Sequence, residues 1–372
     1  RELSRLGVKI ISTGKTAKLL SQNKIKNISV SDITKFPEML DGRIKSVHPN
    51  IFAGILADRK NKKHLSELKK LKIDLIDLVV VNFYPFEETV RKTGKQKDII
   101  ENIDVGGPSL VRAAAKNHRN VLVVVDSKDY DEVIEKIKSK KVDEEYRQEL
   151  AAKAFSLTAH YDSLINWYFN GLTKTDYSGI LNLTFKKIQN LRYGENPHQS
   201  AAFYRDIFVE DGYVATARQL QGKELSYNNI LDVDASFELV KEFDKPCAAV
   251  IKHTNPSGVA SAVKIEDAYV KAYEADPKSA FGCIVALNRN CNARIAKYMK
   301  PLFIEVVICP KFEKDALEIL KDKKNLRLLE TETIKKSKKR FDLRTVTGGL
   351  LAQTCYCPEL GKKNLKTVTK RK

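Results

Sequence analysis

Residues 74–86 read DLIDLVVVNFYPF and residues 120–127 read NVLVVVDS, and these two runs decide the fold class. Near-continuous β-branched stretches of this kind fit parallel strands buried on both faces. Helical stretches punctuated by Gly, Pro or Asp lie around them. That alternation predicts an α/β layered fold. It resumes later in the chain, with strands expected at CAAVIKH (247–253), GCIVALN (282–288) and IEVVICP (304–310). Between the halves, from Glu144 to about Asn170, Leu150, Ala154, Leu157, Tyr161, Leu164 and Tyr168 recur at three- and four-residue steps. This spacing predicts one long amphipathic helix. The polar, turn-rich GLTKTDYSG that follows (171–179) reads as a domain boundary.

Working outward to the N-terminus, residues 8–20 read VKIISTGKTAKLL. Gly14-Lys15-Thr16 after an apolar run looks like a P-loop, but that motif needs a further glycine where this chain has Lys9. The spacing rules out the ATPase reading. What survives is a strand over 7–12, a glycine turn, and a helix starting near Thr16. The free amides of a helix N-terminus suit an anion; a hydroxyl N-cap is the plain alternative.

Composition sets outer limits. A chain of 372 residues with 42% apolar and 30% charged residues is long enough for two domains with real cores. No apolar run approaches a membrane span, and no signal sequence opens the chain. Six cysteines without paired spacing fit reduced thiols in the cytoplasm. Cys355-Tyr356-Cys357 lacks partners at zinc-finger spacing and reads as non-ligating. The net charge of +19 raises RNA binding as a rival reading. Yet the basic residues, mostly lysine, are interleaved with acids in segments such as EVIEKIKSKKVDEEY (132–146), the look of a solvated helix face. The charge fits better the attraction of small phosphorylated substrates.

Polar residues interrupt the apolar runs at suggestive places. In DGRIKSVHPN (41–50), Arg43 and Lys45 leave one face of an extended segment. Tyr84 stands near a strand's C-terminal end, where open α/β sheets bind ligands. Asp104 precedes Gly106-Gly107, and Arg112 and Lys116 follow four apart on a helix. Singly, each is an ordinary turn former or surface charge. Convergence of Lys45, Tyr84, Asp104 and Lys116 would supply proton donors, acceptors and cations for a developing oxyanion. In VIKHTNPSG (250–258), a strand ends in Lys252-His253 before a polar turn containing Pro256 and Gly258. The neighbouring cation would favour the imidazole's neutral, proton-accepting form. LRYGENPHQ (191–199) adds Arg192, Tyr193 and His198.

Taken together, DGRIKSVHP, VVVNFYPFEET, ENIDVGGPS, RAAAKNH, LRYGENPHQ, SYNNILDVDA, VIKHTNPSG, ADPKSAFG and RTVTGGLLAQ closely resemble the bifunctional purine-biosynthesis family. That family joins IMP cyclohydrolase to AICAR formyltransferase, and the matches run in order along the whole chain. The resemblance implies a methylglyoxal-synthase-like α/β domain with a parallel sheet over 1–172. It implies a cytidine-deaminase-like α/β formyltransferase domain over 180–372. The deaminase signature H-x-E with P-C-x-x-C is absent, which disfavours zinc deamination. The implied reactions are formyl transfer from 10-formyltetrahydrofolate to AICAR, then dehydrative closure of formyl-AICAR to IMP. No metal is implied.

By the same resemblance, Lys45, Tyr84, Asp104 and Lys116 serve cyclisation, and Ser12, Thr13, Gly14 and Thr16 cradle the substrate phosphate with Arg43 close by. His253 is the implied general base of formyl transfer, with Lys252 beside it. Arg192, Tyr193, His198, Asn229 and Glu305 bind the nucleotide; at Glu305 the family also places an acid one carbon shorter. A cytoplasmic homodimer is implied. The chain starts after the family's opening strand and stops before a stretch carrying a catalytic asparagine and much of the folate site, so a fragment with weak or absent formyl transfer is expected. Finally, the family has Gly-Gly-Thr where this chain has Gly14-Lys15-Thr16. Lysine there would cost about 1 kcal/mol if the position needs positive φ; otherwise it adds a phosphate contact.

Overall fold

The computed structural model describes residues 1–355 apart from Glu38, Asp41, Gly42, Thr175 and residues 336–340. Cys357, half of the Cys-x-Cys pair, therefore lies outside the described residues. The chain divides into two units, Arg1–Thr184 and Phe185–Lys372. Among the described residues no helix is long and apolar enough to cross a membrane.

The first unit opens with α1 (Glu2–Arg5), β1 (Ile11–Ser12), α2 (Gly14–Gln22), β2 (Ile28–Ser29) and α3 (Val30–Thr34). The strand is shorter than the apolar run suggests, and the helix starts two residues before Thr16. Then come α4 (Pro49–Leu56), α5 (Lys62–Leu71), β3 (Leu78–Val80), α6 (Phe86–Lys92) and α7 (Gln96–Glu101). The unit ends with α8 (Gly106–Lys116), β4 (Leu122–Val124), α9 (Tyr130–Lys138) and α10 (Glu144–Thr173). β1 pairs with β2, and β3 with β4, both in parallel. Val121 to Val124 are all buried, whereas Val80 on β3 is 44% exposed, so only one of the two decisive runs is covered on both faces. Tyr84 lies four residues past the end of β3 rather than on it. α10 buries Tyr146, Leu150, Ala154, Tyr161 and Leu164 along one stripe. It runs on through Gly171–Thr173, the start of the expected boundary, and stops at Lys174 in the left-handed conformation.

The second unit begins with the antiparallel pair β5 (Phe185–Leu191) and β6 (Ala201–Asp206). Its centre is built from β7 (Arg218–Gln221), α11 (Tyr227–Lys241), β8 (Cys247–Lys252), β9 (Asn255–Ser261), α12 (Ile265–Glu274) and β10 (Cys283–Leu287). It continues with α13 (Ala293–Met299), β11 (Ile304–Cys309), α14 (Lys314–Leu320) and β12 (Arg327–Glu330), and a hairpin of β13 (Phe341–Val346) and β14 (Gly349–Thr354) follows. Six strands form one mixed sheet in the order β7-β12-β11-β10-β8-β9. Side chains alternate across it. Ala248 and Val250 face the core with α12, α13 and α14, while Cys247, Ala249 and Ile251 face Val233, Phe237 and Val240 of α11. Two buried faces explain why these strands read as unbroken apolar runs.

The turn after β8 differs from the sequence reading. Pro256 and Gly258 lie within β9, an edge strand, where a proline costs no ladder bond that matters. The turn itself is His253-Thr254, with φ of 53° and 61°. Both signs are what a two-residue hairpin twisted like its strands demands, but the residues are not the usual Asn-Gly.

Candidate active sites

In the first unit the site forms where strands end and helices begin. Thr13 is the N-cap of α2 but makes no side-chain cap bond, so the expected hydroxyl cap is missing and the first amides of α2 stay open. Gly14 has φ +47°, and a Cβ on it would lie 2.9 Å from Lys45 Nζ. The lysine ammonium therefore sits against the α2 N-terminus. Next to it in sequence, Ser46 Oγ lies 3.4 Å from where a Gly106 Cβ would stand, at the first turn of α8. At the other end of α8, Asn117 Nδ2 donates to Ile55 O (2.7 Å) and Ala57 O (3.0 Å), at the C-terminal end of α4. The C-terminal ends of α4 and α8 therefore meet, while Lys45 lies against the first turn of α2 and Ser46 against that of α8. The open amides at the start of α2 and the ammonium beside them make an anion locus.

Asp104 holds the start of α8, its Oδ1 accepting from Gly107 N at 2.8 Å. Its own N–H donates to Tyr161 Oη at 2.8 Å. Burial pushes the Tyr161 phenol above its ordinary value. Tyr161 also lines a cleft of about 300 Å³ with Asn82, Tyr84, Phe86, Asp126 and Ser127. The cleft lies just beyond the C-terminal ends of β3 and β4, the usual ligand position in such sheets.

Lys45, Asp104 and Tyr84 are therefore linked through Ser46, Gly106 and Tyr161, none of which sequence reasoning singled out as a site residue. Lys116 is not: it closes the eleven-residue α8 that Asp104 opens, about 16 Å away along the axis. Arg43 pairs with Glu101, so its side chain and that of Lys45 take different partners. Ser12 is buried and donates to Asn27 Oδ1 at 3.0 Å. Lys15 and Thr16 are exposed on the first turn of α2. Lys15 is absent from the positive-φ residues; its neighbour Gly14 carries that conformation. The strained-lysine reading is overturned.

In the second unit the polar residues meet at one end of the sheet, at the C-terminal end of β8 and the N-terminal ends of β10, β11 and β12. Asn229 Nδ2 donates to Glu305 Oε2 at 2.9 Å, and Arg327 Nη1 lies 3.7 Å from the same oxygen. A Ser226–Asn229 capping box fixes this start of α11. Lys252 Nζ donates to Phe281 O at 2.6 Å, and the Phe281 and Phe303 rings are 4.9 Å apart and largely exposed. The His253-Thr254 turn is tied to α11 by Thr254 N donating to Asp232 Oδ1 at 2.7 Å. Arg192 lies over the Tyr193 ring at 5.7 Å, and Asn228 Nδ2 donates to Glu195 O at 3.4 Å, joining that loop to α11. His198 is exposed in the same loop. Arg327, Asp232 and Phe303 escaped the sequence reading. A single charge opening the apolar run RLLE was the only trace of Arg327.

Residues 114–372 match the AICARFT/IMPCHase bienzyme family model, and residues 1–109 match the MGS-like domain model. The chain belongs to the AICARFT/IMPCHase bienzyme family. The gap between the two matches falls inside α8, so it marks no structural border. The bifunctional purine biosynthesis protein PurH of Acetivibrio thermocellus is 49% identical over 377 residues, covering 100% of this chain and 73% of that protein. PurH of a Thermoanaerobacter species is 50% identical over 373 residues, with coverage of 100% and 73%. PurH of Bacillus cytotoxicus is 48% identical, with coverage of 98% and 72%. The crystal structure of ForH is similar over 45% of this chain and 88% of that one, at 31% identity and TM-score 0.40. Membership of a bienzyme family disfavours the rival of a basic RNA-binding protein.

Proposed function

We propose that the chain carries out both reactions of its family: formyl transfer from 10-formyltetrahydrofolate to AICAR, and dehydrative ring closure of formyl-AICAR to IMP. The observation that carries the second reaction is the uncapped α2 N-terminus at Gly14, with Lys45 against it. A nucleotide 5′-phosphate suits those amides, with Thr13, Thr16 and the exposed Lys15 beside them. The base then reaches toward Asp104 and the Tyr84 cleft. In ring closure the carboxamide nitrogen attacks the formyl carbon, and its proton passes to a base such as Asp104. Lys45 stabilises the oxyanion, and the former formyl oxygen leaves as water after taking up two protons, one from the carboxamide nitrogen and one from the formamide nitrogen, as the ring C=N bond forms. This assignment needs Lys45, Asp104 and Tyr84 and leaves Lys116 outside the cluster.

Formyl transfer belongs to the second unit. The AICAR amine attacks the formyl carbon, His253 takes the amine proton, and the folate N10 leaves carrying a proton. Lys252 is anchored beside the transfer at Phe281 O. Glu305, Asn229, Arg192, Tyr193 and His198 bind the nucleotide. The proposed setting is a cytoplasmic homodimer acting on small molecules, without a required metal.

The test is cyclisation of formyl-AICAR by this chain. Lys45→Ala should lose about 10²-fold or more in kcat. Wild-type turnover in that variant, or an equal loss from Lys116→Ala, would count against the three-residue cluster.

A further inference from the structure

Glu305 is half-exposed, yet one of its oxygens is doubly engaged. Asn229 Nδ2 and Arg327 Nη1 both approach Oε2, at 2.9 and 3.7 Å. Oε1 takes up no hydrogen bond among the described residues, and it lies 3.9 Å from where a Gly282 Cβ would stand. Arg327 itself is 7% exposed. Its Nε donates to Lys223 O at 3.2 Å and Glu224 O at 3.1 Å, carbonyls of the loop that leads to Ser226 and Asn229. Gly222 (φ +100°) lets that loop ride on the Arg327 backbone, since a Cβ there would come within 2.5–2.8 Å of Leu326 O, Arg327 N and Arg327 Cα. Pairing of β11 with β12 sets Val306 opposite Arg327, which brings Glu305 within reach. One guanidinium thus spans the acid and the loop bearing the acid's other partner.

We propose that Arg327 is a positioning residue of the nucleotide site, holding Glu305 Oε2 and the 223–224 backbone so that Oε1 accepts a hydrogen bond from an amine or hydroxyl of the aminoimidazole nucleotide. This rests on the formyltransferase reading of the second unit. A buried guanidinium stays charged, and its rigid fork fixes the position of the carboxylate oxygen it faces. Other charges share the neighbourhood. Arg192 and Tyr193 are within electrostatic range of Arg327; Lys252 and Glu305 are both within range of the Cys283 thiol.

The experiment is calorimetric titration of the whole chain with AICAR, at one fixed pH, on wild type, Arg327→Met, Arg327→Lys, Glu305→Gln and the Arg327→Met/Glu305→Gln pair. Thermal melts of each accompany it. Arg327→Met should weaken binding about tenfold. Arg327→Lys should restore part of the affinity while melting lower, since lysine keeps a charge facing Glu305 but not the Nε bonds. In the Glu305→Gln background, Arg327→Met should add little. An equal loss in both backgrounds, or an affinity that Arg327→Lys does not restore, makes Arg327 merely structural and overturns the proposal. Failure of the wild-type chain to bind AICAR overturns the formyltransferase reading itself, and the proposal with it.

Discussion

Replacing Gly14 with alanine tests the first site through a single methyl group. Two effects follow from the geometry. First, φ of +47° is open to glycine and costs an L-residue about 1–2 kcal/mol. In a 184-residue unit, each kcal/mol lowers Tm by roughly 2–4 °C, so a fall of about 2–8 °C is expected. Second, the new Cβ would stand 2.9 Å from Lys45 Nζ, short of the 3.4 Å at which ordinary contact begins. The ammonium ends a flexible chain, so it moves aside at little cost in stability. Its displacement, on the order of 1 Å, should lower cyclisation kcat/KM by roughly ten- to a hundredfold. Differential scanning calorimetry and steady-state cyclisation of formyl-AICAR read the two effects separately. Gly14→Asn is the control: asparagine tolerates the left-handed region better but keeps the Cβ, so it should lose turnover with a smaller fall in Tm. Unchanged kcat/KM alongside a lowered Tm would refute the role given to the Lys45–Gly14 contact.

Other outcomes are as definite. Lys15→Gly should lower stability by up to about 1 kcal/mol, since it puts glycine into a helix that has no strain to relieve; it should also raise KM for formyl-AICAR a few-fold through loss of a cation beside the phosphate. A more stable variant would revive the strain reading. Thr254→Gly should stabilise the second unit by about 1 kcal/mol, because a β-branched residue at φ 61° is strained; urea unfolding measures it, and an unchanged midpoint would mean the turn carries no such strain. Gly258→Ala should destabilise by about 3 kcal/mol, as a Cβ there overlaps the Ala272 carbonyl on α12, and a wild-type melt would disprove that close approach. Burial pushes the Cys247 and Cys283 thiols up to about 11 and Cys291 to about 12, from 9.0. These thiols are neutral in the fold and ionise first in the unfolded chain. Stability should therefore be fully present below pH 9 and fall as pH rises toward 11–12, by up to about 1.4 kcal/mol per pH unit for each thiol. Urea midpoints at pH 8 and 10 check this, and Cys247→Ala should flatten the slope.

The linear order of residues was enough for the fold class and for the family. Buried strands must be apolar on both faces, so CAAVIK, CIVAL and IEVVIC stood out unaided, and helical spacing marked α10 from Leu150 to Tyr168. Motifs such as VIKHTNPSG and DGRIKSVHP are local, and so they survive in one dimension. What they could not carry is which ends of elements meet. Lys116 shares a motif with Asp104, but the rise of α8 sets them about 16 Å apart. Ser46 carried no signal of its own and Tyr161 read only as part of a helix stripe, whereas packing sets Ser46 against Gly106 and Tyr161 against Asp104. The sign of a backbone angle is equally invisible in composition: positive φ falls on Gly14, not Lys15, and on His253 and Thr254, not on the Pro-Gly segment after them. Arg327 is the extreme case. Its importance lies in a strand register and a neighbouring loop about a hundred residues earlier, and only tertiary structure brings such partners within hydrogen-bonding distance.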